Sequence, residues 1–122
     1  MYDTEEIKAI IQSGEGYNVE FKKILPKKLR ELTAEICGFA NASGGVLLIG
    51  VDDDNQVVGI SLDNKKFSSM QDAFNEINPH LPVKIYSMLL DEKEVWVCEV
   101  ESGIQKPYAL SGAIYVRQGP NN

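Results

Sequence analysis

The sequence predicts one α+β domain, a mixed β-sheet with helices packed on one side of it. Three observations carry this expectation. Apolar spacing switches repeatedly between the period of two that suits strands and the period of about 3.6 that suits helices. One short apolar run, Val46 to Val51, has the character of a buried central strand. Two pairs of apolar segments are joined by turn-forming residues, as hairpins require.

The elements follow in order. Asp3-Thr4-Glu5-Glu6 predicts a capped helix start, with Asp3 or Thr4 as the cap and acids where they complement the helix dipole. Ile7, Ile10 and Ile11 give that helix one apolar face, and Ser13-Gly14 stops it. From Tyr17 to Lys23 the pattern alternates: Tyr17, Val19 and Phe21 point one way, Asn18, Glu20 and Lys22 the other. This predicts a half-buried strand with Glu20 on its polar face. Pro26 opens a helix over Lys27–Ala42, where its missing N–H costs nothing. Leu29, Leu32, Ile36, Phe39 and Ala40 form its core face, and Asn41-Ala42-Ser43-Gly44-Gly45 ends it. Val46–Val51 is the central strand, and Gln56–Ile60 returns as its partner after a turn. A helix over Asn64–Ile77 buries Phe67, Met70, Phe74 and Ile77 before Asn78-Pro79 breaks it. Val83–Leu90 and Val95–Val100 form a hairpin in the same sheet. Tyr108–Leu110 and Ala113–Arg117 form a shorter hairpin around Ser111-Gly112. The tail from Gln118 to Asn122 has no pattern and reads as a cut linker. Residues 1–122 are therefore expected to be a single domain forming the N-terminal part of a longer protein.

Composition excludes several classes. Hydrophobic residues at 43% and charged residues at 25% describe a globular chain rather than a disordered one. No stretch approaches the length of a membrane span, and the N-terminus lacks a secretory signal, so a cytoplasmic protein with no membrane partner is expected. Cys37 and Cys98 lie among apolar neighbours and read as buried free thiols. Two cysteines and one histidine, His80 in a proline-flanked loop, give no zinc spacing. No Gly-x-x-x-x-Gly-Lys-[Ser/Thr] segment is present, which excludes a P-loop ATPase. The net charge of −6 argues against a general polyanion binder. That total hides an asymmetry, with Lys22, Lys23, Lys27, Lys28 and Arg30 close together and Asp52, Asp53 and Asp54 elsewhere. Such a basic edge can hold phosphates on an acidic protein, or it can be a solvated helix start.

Three further features bear on chemistry: Glu15 and Glu20 around the first strand, Asn41 to Gly45 leading into the Val46–Asp53 segment, and Lys106-Pro107-Tyr108 followed by Ile114 to Gly119. Singly, each has a plain structural explanation as solvated side chain, turn former or cap. Together and in this order they resemble the Schlafen AlbA-like domain family. The resemblance rests on Gly14-Glu15, then Val19-Glu20-Phe21-Lys22; Phe39-Ala40-Asn41, then Gly44-Gly45 and Ile49-Gly50-Val51-Asp52-Asp53; Val58-Gly59-Ile60; Pro79; and Lys106-Pro107-Tyr108 with Tyr115-Val116-Arg117-Gln118-Gly119. It covers nearly the whole chain.

The resemblance implies a DNA-binding role. Bacterial domains of this kind typically head longer proteins that look like transcriptional regulators. In animal members the same domain can be an endoribonuclease acting on structured RNA with three carboxylates. Those positions here hold Glu15, Glu20 and Asp52, which the resemblance implies as the catalytic and metal-holding set, with Lys22 beside them to neutralise phosphate charge. Carboxylates in such a set hold Mg²⁺ or Mn²⁺ against a phosphate, where the ion activates a water. Animal nucleases carry two copies of the fold forming a basic trough, plus a zinc site. This chain has one copy and no zinc ligands, so a trough would need a homodimer. Three readings stand, in this order. The first is a nucleic-acid (DNA or RNA) binding module using Lys22, Lys23, Lys27, Lys28, Arg30, Lys106 and Arg117. The second is the metal-dependent endoribonuclease. The third is a protein-interaction or sensor domain, which the acidic net charge favours.

Overall fold

Capping chemistry fixes where the chain first turns helical. In the computed structural model, which describes residues 1–117, the Asp3 carboxylate accepts the Glu6 N–H while the Glu6 side chain accepts the Asp3 N–H. That reciprocal box starts helix α1, Thr4–Ser13. Strand β1 (Val19–Lys22) follows, then helix α2 (Leu29–Asn41) and strand β2 (Gly44–Ile49). Helix α3 (Asn64–Phe74) begins where Asp63 accepts the Lys66 N–H. Strands β3 (Ile77–Asn78), β4 (Lys84–Leu90), β5 (Lys93–Glu101), β6 (Ala109–Leu110) and β7 (Ala113–Ile114) complete the described chain. Gln118, Gly119 and the rest of the tail lie outside the described residues. Among the described residues, no helix is long and apolar enough to cross a membrane.

The principal sheet has the order β1-β2-β5-β4. Strand β1 runs parallel to β2, with Lys22 beside Ile49, and the remaining pairs are antiparallel, so the sheet is mixed. Strands β3, β6 and β7 form a small separate sheet. Both hairpin turns are two residues long with positive φ, Asp91-Glu92 and Ser111-Gly112, the geometry that matches the twist of paired strands.

Helices cover both faces of the principal sheet, not one. Ile7 and Ile11 of α1 pack with Phe21, Val46, Leu48, Val95 and Val97. Leu32, Ile36 and Phe39 of α2 and Met70 and Phe74 of α3 pack on the other face with Leu47, Ile49, Cys98 and Val100. The reason is visible in β2, whose four residues from Val46 to Ile49 are all buried: a strand apolar on both faces needs cover on both. Cys37 and Cys98 are buried free thiols, and burial pushes the Cys98 pKa up to about 12.

Two expected elements differ. Residues Gln56–Ile60 form no strand; a single bridge joins Val51 to Val57. Positive φ at Gly50 and Gly59 turns the backbone there, the Val58 and Gly59 N–H groups both donate to the Gly50 carbonyl, and Ile60 instead bonds to Glu94. Helix α3 also ends at Phe74, earlier than Ile77, because Ile77 leaves to pair with Leu110 of β6.

The Gly44-Gly45 pair has a packing reason. Gly44 has φ of +84°, and a Cβ there would lie 2.6 Å from the Val100 carbonyl oxygen; a Cβ on Gly45 would lie 2.5 Å from the Phe39 ring. Gly44→Ala is expected to destabilise the domain by about 1–3 kcal/mol, since backbone cannot yield as a side chain can. Urea unfolding checks this: the midpoint should fall at unchanged slope. An unchanged midpoint would contradict the close approach.

Candidate nucleic-acid interface and the buried charge network

Parity along β1 decides where the charges go. Val19 and Phe21 face α1, so Glu20 and Lys22 face α2. Glu20 is therefore not on a solvated polar face; it is 6% exposed. Its Oε1 accepts a hydrogen bond from Arg117 Nη1 at 3.0 Å, and its Oε2 lies 3.8 Å from Lys22 Nζ. Lys22 Nζ lies closer, 2.9 Å, to Oε1 of Glu35 on α2. The Glu35 Oε2 atom is buried with no hydrogen-bond partner. Burial, helped by the charges of Glu35 and Glu15, raises the Glu20 pKa from 4.5 to about 7 against the opposing pull of Arg117 and Lys22. Burial disfavours charge on Lys22, but the hydrogen bond and charge of Glu35, then Glu20 and Glu15, outweigh it and raise the Lys22 pKa.

Arg117 is the hub of this network. Its Nε donates to the Tyr17 carbonyl at 3.0 Å, and its Nη2 donates to the Gly16 and Val19 carbonyls at 2.8 and 3.1 Å. The guanidinium lies over the Phe39 ring, 4.7 Å from its centroid. The planar fork thus ties the end of the described chain to the loop before β1. A side chain so enclosed is not displayed to a phosphate.

The three carboxylates expected to hold a metal each have another partner. Glu15 Oε1 accepts the Phe21 N–H at 2.9 Å. Glu20 is bound by Arg117. Asp52 Oδ1 accepts the N–H groups of Asp54 and Gln56, both at 2.9 Å, which shapes the turn after β2. Glu20 and Asp52 do line one open cleft of about 440 Å³ with Lys22, Lys23, Asp53 and Asp54, where the parallel strands β1 and β2 end. Among the described residues, however, no group of three or more His, Cys, Asp or Glu side chains is placed to hold a metal ion. Lysine and arginine stand where a cation would neutralise the acids, so the arrangement does not fit Mg²⁺ or Mn²⁺ as it stands.

The expected cations divide into two groups. Lys23, Lys27 and Lys28 are exposed and take part in no ion pair among the described residues. They lie on the β1–α2 loop, and Lys28 is the N-cap of α2 without any side-chain hydrogen bond to the helix start. The first N–H groups of α2 therefore lack a side-chain cap beside exposed lysines. Arg30 is exposed nearby and donates to the Ser111 hydroxyl at 3.0 Å and weakly to the Tyr115 hydroxyl at 3.5 Å. Lys106 donates to the Ala42 carbonyl at 2.8 Å, away from this cluster. Lys22 and Arg117 belong to the inner network.

The sequence reading passes over Glu35 and gives Asn41 a different role. Glu35 lies three residues after Leu32 and four before Phe39, on the helix's apolar face, and that spacing was the available signal of burial. Asn41, readable as a helix cap, instead donates to the Tyr108 and Tyr115 carbonyls at 2.9 and 2.8 Å and accepts the Tyr108 N–H. It fastens the small sheet to α2.

The chain is similar in fold to the N-terminal domain of a Nitrosomonas europaea protein named for its relation to the ATP-dependent DNA helicase RecG. That likeness has 19% identity and a TM-score of 0.60, over 100% of this chain and 92% of that one. It is also similar in fold to the DIP2311 protein of Corynebacterium diphtheriae, with 21% identity and a TM-score of 0.59 over 85% of this chain; the match spans 22% of that chain. The Schlafen, AlbA_2 family model matches residues 15–122, from the Glu15 carboxylate through the Arg117 hub to the C-terminus, and the chain belongs to that family.

Proposed function

We propose that this chain is a nucleic-acid-binding domain, with DNA as its first ligand, working as one part of a larger regulatory protein. The single observation that carries the reading is the exposed set Lys23, Lys27 and Lys28, free of ion pairs among the described residues, at the start of α2 where no side chain caps the helix, flanked by Arg30. Exposed ammonium groups and first-turn N–H groups without a side-chain cap suit a phosphate backbone and need no particular base sequence. The family and the RecG-related fold neighbour support a nucleic-acid role. The acidic run Asp52 to Asp54 shares its cleft with Lys23 and repels phosphate there, which favours contact toward Lys27 and Lys28 at the start of α2.

Fluorescence anisotropy with labelled duplex DNA, single-stranded DNA and RNA tests this. Lys23→Glu/Lys27→Glu/Lys28→Glu should abolish binding at low salt, and single Lys→Ala variants should each reduce the salt slope by about one. Binding unchanged in the triple variant sinks the reading.

The nuclease alternative keeps one supporting observation, the shared cleft of Glu20 and Asp52 beside Lys22. It requires Glu15, Glu20 and Asp52 to exchange their present partners for an ion. Cleavage of structured RNA that needs Mn²⁺ or Mg²⁺ and disappears in Glu20→Gln would favour it over simple binding.

A further inference from the structure

The two edges of the principal sheet are treated differently. Strand β1 is short, carries Glu20 and Lys22, and has the Phe21 N–H occupied by the Glu15 carboxylate. Those are devices that stop a sheet edge from recruiting another strand. Strand β4 has none of them. It is seven residues long, Lys84-Ile85-Tyr86-Ser87-Met88-Leu89-Leu90, with one charge at its first position and no proline or glycine. One side pairs with β5 along the full length. Among the described residues, no backbone group pairs with its other side. Leu89 stands 64% exposed on the same sheet face as the partly buried Ile85.

We propose that β4 is the pairing edge for a second copy of this chain, joined antiparallel about a two-fold axis through Ser87. That register sets Leu89 of each copy opposite Ile85 of the other, covering the exposed leucine with an apolar residue that packs against the core. Tyr86 and Met88 meet on the α1 face by the same rule. Lys84, the one charge on the strand, falls beside the Asp91-Glu92 turn of the other copy, where Asp91 already holds Lys8 at 3.3 Å and the exposed Glu92 supplies the charge of opposite sign. Because each residue at position i meets position 174 − i, the contact is isologous and closes as a dimer rather than growing. The product is one continuous sheet of eight strands with the protected β1 strands at its two ends. This surface is independent of the proposed lysine contact with nucleic acid.

The experiment is sedimentation equilibrium of the 122-residue chain with two charge variants at the axis. Ser87 is exposed, so Ser87→Lys and Ser87→Glu leave the monomer's packing intact, and circular dichroism verifies this. The wild-type chain should approach twice its 13.5 kDa mass as concentration rises. Each variant alone should stay monomeric, because two like charges meet directly across the axis. An equimolar mixture of the two should recover the dimer mass. A wild type that remains monomeric at millimolar concentration overturns the proposal, as do folded variants that dimerise alone like the wild type. A mixture that stays monomeric overturns the Ser87-centred pairing.

Discussion

Arg117→Met is expected to lower unfolding free energy by about 3–5 kcal/mol, the scale for removing one partner of a buried ion pair. Three carbonyls, those of Gly16, Tyr17 and Val19, lose their donor at once. The Phe39 ring loses the guanidinium stacked on it, and Glu20 loses its strongest counter-charge. Arg117→Lys should recover only part of this, since a single ammonium cannot reproduce the fork. Adding Glu20→Met to Arg117→Met should restore stability relative to the single change, because an apolar pair leaves no buried charge unmatched. Urea unfolding of the wild type, Arg117→Met, Glu20→Met and the double variant gives the coupling energy directly. Equal losses that simply add would mean the pair is not coupled.

The second large effect is a dependence on pH. In the folded chain the Glu20 pKa stands at about 7, above its ordinary 4.5. The folded state therefore holds a proton that the unfolded state releases first. The stabilisation is complete below the unfolded pKa and is lost as pH rises to and through the folded one. Across that window Glu20 should remove about 3 kcal/mol of stability. Glu20→Gln carries no such titration and mimics the protonated acid in shape. The wild type and Glu20→Gln should be close in stability near pH 5 and diverge in favour of the variant near pH 8. Urea midpoints of both chains at the two pH values check it. A constant difference would show that Glu20 titrates as an ordinary acid.

Much of this fold was legible in the sequence because it rests on local chemistry. The cap at the start of α1, the two-residue turn at Ser111-Gly112 and the apolar stripe of α2 are written in contiguous residues, whereas the first hairpin turn is tighter than the four residues Asp91 to Glu94 suggest, since β5 already begins at Lys93. The Gln56–Ile60 segment was misread because alternation says nothing of the two glycines' φ values, which turn the backbone away from a ladder. The placement of α1 on the opposite sheet face depends on which surfaces remain uncovered, a tertiary matter. The buried network was less legible still. Glu20 looks solvated because Asn18 and Lys22 share its parity, and only the α2 carboxylate and a guanidinium 97 positions away make its burial tolerable. Arg117 shares its parity with the partly buried Tyr115 and alternates with exposed Ile114 and Val116, so its inward direction was readable where its partners were not. The exposed lysines are the opposite case. Their charge was plain in the sequence, while their freedom from ion pairs among the described residues and the missing side-chain cap on α2 are matters of tertiary structure.

The most direct test of nucleic-acid binding at the start of α2 is a titration of the isotope-labelled chain with a short DNA duplex, followed by amide resonances. The largest shifts should fall on the β1–α2 loop and the first turn of α2, from Lys23 to Glu31, because these N–H groups and lysines meet the phosphates. Shifts confined to other surfaces, such as the groove formed by Leu81, Lys84, Ile104 and Tyr108, would contradict the account, as would a spectrum unchanged by saturating DNA at low salt.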